Sequence, residues 1–232
     1  MNPINRTARL AGSFYLIFIL LLPLATTIRS QLIVGGDAAA TAQKITANEL
    51  LFSVSFITEL VAALFFVLAA WALYVLLKPV NKNLALLFLL LNLGGVAIEY
   101  VSVLNLSTAL SLLSGADYLT VFPADQLQAQ ALLYINTYSN GFVIANLFFG
   151  VWLLPLGYLV YRSGFLPWWL GVLLIADFFG VLIWFFQFFL LPEYNVLSYP
   201  GLLVSFIAEV SLTLWLLIKG VKDNGPSPTE GG

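Results

Sequence analysis

Cysteine and histidine are absent from this chain, methionine occurs once, and only 9% of the residues carry charge. Without cysteine there can be no disulfide, no thiolate metal site and no thiol nucleophile. Without histidine the commonest general base, transition-metal ligand and pH switch are missing together. The formal net charge is −2, and the basic residues are scattered, which excludes the basic stripe of a nucleic-acid binder. There is no Walker loop, no dinucleotide fingerprint and no paired-histidine zinc motif, so no cofactor is expected. Asp177 follows Ile175 and Ala176, so the Gly-x-Gly-Asp pattern of intramembrane aspartyl proteases is missing too.

What the chain has instead is apolar length. Of its 232 residues 61% are hydrophobic, more than a water-soluble domain can hide. Apolar stretches run over residues 10–28, 50–77, 84–113, 141–161, 166–191 and 198–218. Each is long enough to cross a hydrocarbon core of about 30 Å. Backbone amides in lipid must pair within their own segment, so these are expected to be helices. The fold class is therefore all-α: one six-span membrane domain over residues 1–222, with a Pro-, Gly- and Ser-rich tail, 223–232, expected to be disordered. The first stretch is too long for the apolar core of a cleaved signal peptide and reads as a retained span.

Basic residues in short loops stay on the cytoplasmic side. With the N-terminus inside, Arg6, Arg9, Lys78, Lys82, Arg162, Lys219 and Lys222 lie inside, and only Arg29 and Lys44 outside. This bias predicts N-in, C-in topology, and the plasma (inner) membrane is the expected location. On the outside, Gly35-Gly36-Asp37 predicts a turn and an aspartate N-cap before a short helix. Pro123 and Asp125 suit the first turn of a helix running into the fourth span. Over 124–161 such a helix is about 57 Å long, so its outer part should project above the bilayer or bend near Gly141. Arg29 and Lys44 read as solvated, snorkelling or headgroup-facing residues.

Four acids fall inside spans: Glu59, Glu99, Asp177 and Glu209. An aspartate at mid-span costs roughly 2.5–3.5 kcal/mol on translocon scales, so four acids without a compensating base should face the bundle interior. At 1.5 Å per residue, Asp177 and Glu209 lie about 15 Å deep, with Glu59 and Glu99 in the outer third. Helical spacing agrees: Asn92, Gly95, Glu99 and Ser102 share a face, as do Asp177, Gly180, Trp184 and Gln187, and Ser205, Glu209 and Thr213. Ser55 lies one turn before Glu59. We therefore expect Glu99, Asp177 and Glu209 to converge on one interior cavity, with Glu59 and Asn92 at its edges.

Several segments carry a resemblance. They include Asn5-Arg-Thr-Ala-Arg-Leu-Ala-Gly12, Gly36-Asp-Ala-Ala-Ala-Thr-Ala42, Leu113-Ser-Gly-Ala-Asp-Tyr-Leu119, Gln126-Leu-Gln-Ala-Gln-Ala-Leu-Leu133 and Leu216-Leu-Ile-Lys-Gly-Val-Lys222. Together they resemble a bacterial membrane-protein family catalogued as domain of unknown function 4386. The resemblance spans nearly the whole chain and implies a six-span bundle with no established activity. Family members often carry histidines on the fourth span, and Tyr138 and Trp152 stand at the corresponding positions here, so no role built on those histidines transfers.

Three functional readings fit these residues. An acid-lined cavity suits binding or transport of a proton, a cation or a small cationic molecule, with oxygen ligands favouring a hard ion. Two acids could serve a membrane enzyme acting on a lipid or isoprenoid, against which the missing histidine, cysteine and phosphate loop count. A non-catalytic module binding lipid or a membrane partner is the third. The bilayer is the expected partner, and the sequence contains nothing that fixes an oligomeric state.

Overall fold

The computed structural model describes residues 3–222, so the tail expected to be disordered lies outside the described residues. Seven α-helices follow one another: α1 (Pro3–Leu32), α2 (Ala38–Ala47), α3 (Glu49–Leu77), α4 (Lys82–Leu112), α5 (Ala124–Arg162), α6 (Trp168–Leu190) and α7 (Tyr199–Ile218). Single 3-10 turns occupy Asp117–Leu119 and Asn195–Ser198. Among the described residues there is no strand. All helices except α2 are long and apolar enough to cross a membrane, six in number. The expected spans are all present, and the helices of the first and fourth extend past their apolar stretches. Polar ends such as Asn5-Arg6-Thr7 continue the helix where water is available to the terminal amides.

Local chemistry explains the connections. Asp37 caps α2 by accepting from the Ala40 amide at 2.9 Å, satisfying one of the free first-turn donors. Gly36 precedes it at φ 76, a left-handed conformation that favours glycine. α5 runs unbroken through Gly141. The glycine there serves packing: a Cβ would fall 2.1 Å from the Ser102 hydroxyl of α4.

The chain forms two compact units, each assembled from separated segments. The smaller comprises Phe18–Leu64 and Ala97–Val143. Its core includes Leu32, Ile45, Phe52, Leu106, Ala109 and Ile135, so the short helix α2 contributes through Ile45. The larger comprises Met1–Ile17, Phe65–Val96 and Ile144–Gly232. There α5 meets α6 through Gly157 and Gly171, and α6 meets α7 through Gly180 and Gly201. A Cβ on Gly180 would lie 2.9 Å from the Gly201 Cα. Small residues at both positions are what allow this approach, as is usual between helices in lipid. In the same unit, Trp152 packs on Phe66 and Phe88, with ring centroids 4.9 and 6.0 Å away.

The exposed side of α6 carries Phe179, Ile183, Phe186 and Phe189, whose spacing of four, three and three residues marks one helical stripe. The aromatic run of α6 is therefore mainly an outward apolar face, while Asp177, Gly180 and Gln187 occupy the buried side.

Candidate functional site

In the smaller unit, the second half of α1 presents Arg29, the first half of α3 Glu59, and the first half of α5 Tyr138. Arg29 Nη2 donates to Glu59 Oε2 at 2.6 Å and to the Tyr138 hydroxyl at 2.5 Å. Tyr138 in turn donates to the Glu59 carboxylate, 2.8 Å from Oε1. The guanidinium carbon lies 4.5 Å from the Tyr138 ring centroid, so the same tyrosine supplies a π face as well as a hydroxyl. Side-chain exposure is 4% for Arg29 and 0% for Glu59. A buried ion pair holds only when its spare lone pairs and protons are also satisfied, and Tyr138 does part of this. Arg29 Nη1 remains without a hydrogen-bond partner.

Glu99, on α4, lies within charge-interaction range of both Glu59 and Arg29. It is 1% exposed, and neither carboxyl oxygen has a hydrogen-bond partner. Arg29 is thus committed to Glu59, while Glu99 has no ion-pair partner among the described residues.

The larger unit holds the other two acids. Asp177, on α6, is fully buried and accepts a hydrogen bond from the Ser205 hydroxyl of α7 at Oδ1. Its Oδ2 has no partner. Glu209, one turn further along α7, is half-buried and lies within reach of the Tyr15 hydroxyl and the field of Asp177. Thr213, the next turn, buries its hydroxyl without a partner. No cationic side chain is among the charges acting on either acid. Tyr15 packs against Phe66 and Trp152, centroids 5.6 and 6.4 Å away, so rings lie directly behind the hydroxyl that meets Glu209. Asn92, also in this unit, is buried with both side-chain polar atoms unpartnered. Among the described residues no three acids gather as ligands for one metal ion.

Within the smaller unit Glu99 thus lies in the field of Glu59, and within the larger Glu209 lies in the field of Asp177. The expectation that all four lack a basic partner is corrected at Glu59, and with it the solvated or headgroup-facing reading of Arg29. The polar stripes are as expected, since Asn92, Glu99, Ser102, Ser55, Glu59 and Thr213 are all buried. Three participants escaped the sequence reading: Arg29, Tyr138 and Tyr15. A signal existed for each. Arg29 runs against the strong inside bias of the basic residues. Tyr138 follows Ala131 and Ile135 on one buried stripe, and Tyr15 follows Ala8 and Ala11. Tyr138 and Trp152, the positions singled out by the resemblance, fall respectively in the Arg29 cluster and in the aromatic packing beside Tyr15.

Comparison with known proteins places these residues in a wider set. A family described as Domain of unknown function (DUF4386) matches residues 10–220. An uncharacterized protein of the archaeon Archaeoglobus fulgidus is 32% identical over 161 residues, covering 67% of this chain and 77% of that protein. No solved structure matches.

Proposed function

The chain belongs to the family described as Domain of unknown function (DUF4386), and we propose that this multi-pass bundle takes up a proton or a small inorganic cation between Asp177 and Glu209. One observation carries the reading: two acids within each other's field are served only by hydroxyls, with no basic side chain acting on them. Two like charges in apolar surroundings repel, and each also loses hydration, so the pair requires a positive counter-charge from outside the chain. The available donors are all oxygen: Asp177 Oδ2, the Glu209 carboxyl and the Ser205, Tyr15 and Thr213 hydroxyls. Such a set suits a proton or a hard ion. The closely packed rings of Tyr15, Phe66 and Trp152 favour an occupant of that size over an organic cation.

The test uses purified protein in lipid nanodiscs, with unfolding followed against pH and against sodium, potassium and calcium. A ligand present at a hundred times its Kd stabilises the native state by about 2.7 kcal/mol. Asp177→Asn and Glu209→Gln keep shape and hydrogen-bonding capacity while removing the titratable charge. Both variants are expected to fold and to lose the response shown by the parent. An undiminished response in the double variant would sink the proposal. A response to pH but to none of the metals would identify the proton.

The distribution of basic residues also supports an orientation with both termini cytoplasmic. Ser30, Asn81 and Ser114 are all exposed and suit cysteine substitution in this cysteine-free chain. On intact cells, cysteines at Ser30 and Ser114 should react with an impermeant thiol reagent, and one at Asn81 should not. The opposite pattern would invert the orientation.

A further inference from the structure

At one end of the larger unit lies an apolar groove. Its walls include Pro3 and Ile4 of α1, Val75 and Leu76 near the end of α3, and Pro79 and Phe165 from the loops. Basic residues lie beside these wall residues in the chain. Arg6 follows Ile4 by two residues, and Lys78 lies between Leu76 and Pro79. The Lys222 amide donates to the Phe165 carbonyl at 3.1 Å, which ties the end of the described chain to the groove. The neighbouring Val221 amide donates to Asn5 Oδ1 at 2.8 Å. Arg6, Lys78 and Lys222 are all exposed, and none has an acidic partner among the described residues.

Among the described residues, the stretches that carry these cations hold no acid to neutralise them. Residues 3–36, 60–98, 126–176 and 210–222 include no aspartate or glutamate; the next acid, Asp223, lies outside the described residues. Trp168 and Trp169, three and four residues past Phe165, are 63% and 38% exposed. Exposed tryptophans at the end of a spanning helix mark the membrane–water interface. An apolar groove, unpaired cations and the headgroup level thus coincide.

We propose that this groove is a binding site for an anionic phospholipid. An acyl chain lies along Ile4, Val75, Leu76 and Phe165, and the headgroup phosphate sits among Arg6, Lys78 and Lys222. A soluble anion has no use for the apolar walls, and a neutral lipid has none for three cations that lack an acidic partner among the described residues. Near an anionic membrane surface each basic residue contributes roughly fivefold in affinity, so removing two groove cations should weaken retention about 25-fold.

Native mass spectrometry of the full chain, extracted from vesicles of phosphatidylcholine with phosphatidylglycerol, provides the test. The parent should retain one phosphatidylglycerol in preference to phosphatidylcholine. Arg6→Gln with Lys78→Gln should lose that preference about 25-fold. Lys82→Gln with Lys219→Gln removes equal charge from positions outside the groove and should retain it. Unfolding in phosphatidylcholine nanodiscs confirms that both pairs remain folded. Equal retention of the two lipids by the parent would overturn the proposal. Equal losses in the two pairs would also overturn it, by showing bulk charge without a site. Retention that appears only after deletion of residues 223–232 would assign the groove to the chain's own tail and overturn it as well.

Discussion

Arg29→Ala should destabilise the protein by about 3–5 kcal/mol, because it strands a fully buried Glu59 carboxylate without its counter-charge. The Tyr138 hydroxyl stays in place but offers one proton where the guanidinium offered a full charge. Removing both ionic partners should be much gentler. Arg29→Met with Glu59→Leu replaces the pair by apolar groups of similar volume, a change that is often neutral or stabilising when no charge is left behind. The experiment compares Arg29→Met, Glu59→Leu and their combination with the parent and with Arg29→Ala by unfolding in nanodiscs. If the double variant is as unstable as Arg29→Ala, the ion pair is not what holds these helices. Tyr138→Phe provides an intermediate step, leaving the ring beneath the guanidinium and removing only the hydroxyl. It should cost about 1.5–3 kcal/mol, the range for a hydrogen bond to a charged group.

At Gly180, even alanine should be costly. The added Cβ would stand 2.9 Å from the Gly201 Cα and 3.0 Å from its carbonyl oxygen, and backbone atoms cannot swing aside as a side-chain tip can. Overpacking of this kind costs about 1–3 kcal/mol, and Gly180→Leu should prevent α6 and α7 from docking at all. The effect should reach the acids. Gly180 lies one turn from Asp177, and Gly201 one turn from Ser205, so helices pushed apart at the glycines separate the Ser205 hydroxyl from its carboxylate. Gly180→Ala is therefore expected to weaken the proton or cation response beyond what its stability loss explains. Gly35→Ala is the control, since a Cβ there meets nothing within 4 Å and should shift stability by less than about 0.5 kcal/mol. Unfolding curves and ligand response measured on the three variants decide the matter.

The parts of this molecule that were legible from sequence are those governed by neighbours a few residues away. Apolar length marks the spans, Asp37 ahead of an alanine-rich stretch marks a capped helix, and steps of three and four residues place Asn92, Glu99 and Ser102 on one buried face. What was not legible depends on pairs far apart in the chain. Arg29 and Glu59 are thirty positions apart, and Tyr138 is 109 beyond Arg29. An arginine at the end of an apolar stretch ordinarily reaches water or lipid phosphate, so no local pattern distinguishes one that turns inward. Which acid lies in the field of which other was hidden for the same reason. Helical phase tells which side of its own helix an acid occupies, but not which neighbouring helix faces it. Tyr15 was missed because a tyrosine among apolar residues reads as packing, and its ring does pack; only its hydroxyl joins the acids.

The segment composition of the two units has a consequence for biosynthesis. All the residues of the smaller unit have been made once the chain has been synthesised to Val143. The larger unit needs residues near the start together with residues near 220, as the bond from Val221 to Asn5 shows. Translation at about 5–20 residues per second leaves an interval of roughly 10–40 s in which α1 is inserted but its partner α7 has not yet emerged. During that interval Tyr15 and Gly12 face lipid, a chaperone or the insertion machinery. The first half of α1 therefore has to be apolar enough to wait in the bilayer, although in the finished protein Ala8, Ala11 and Tyr15 are buried against protein.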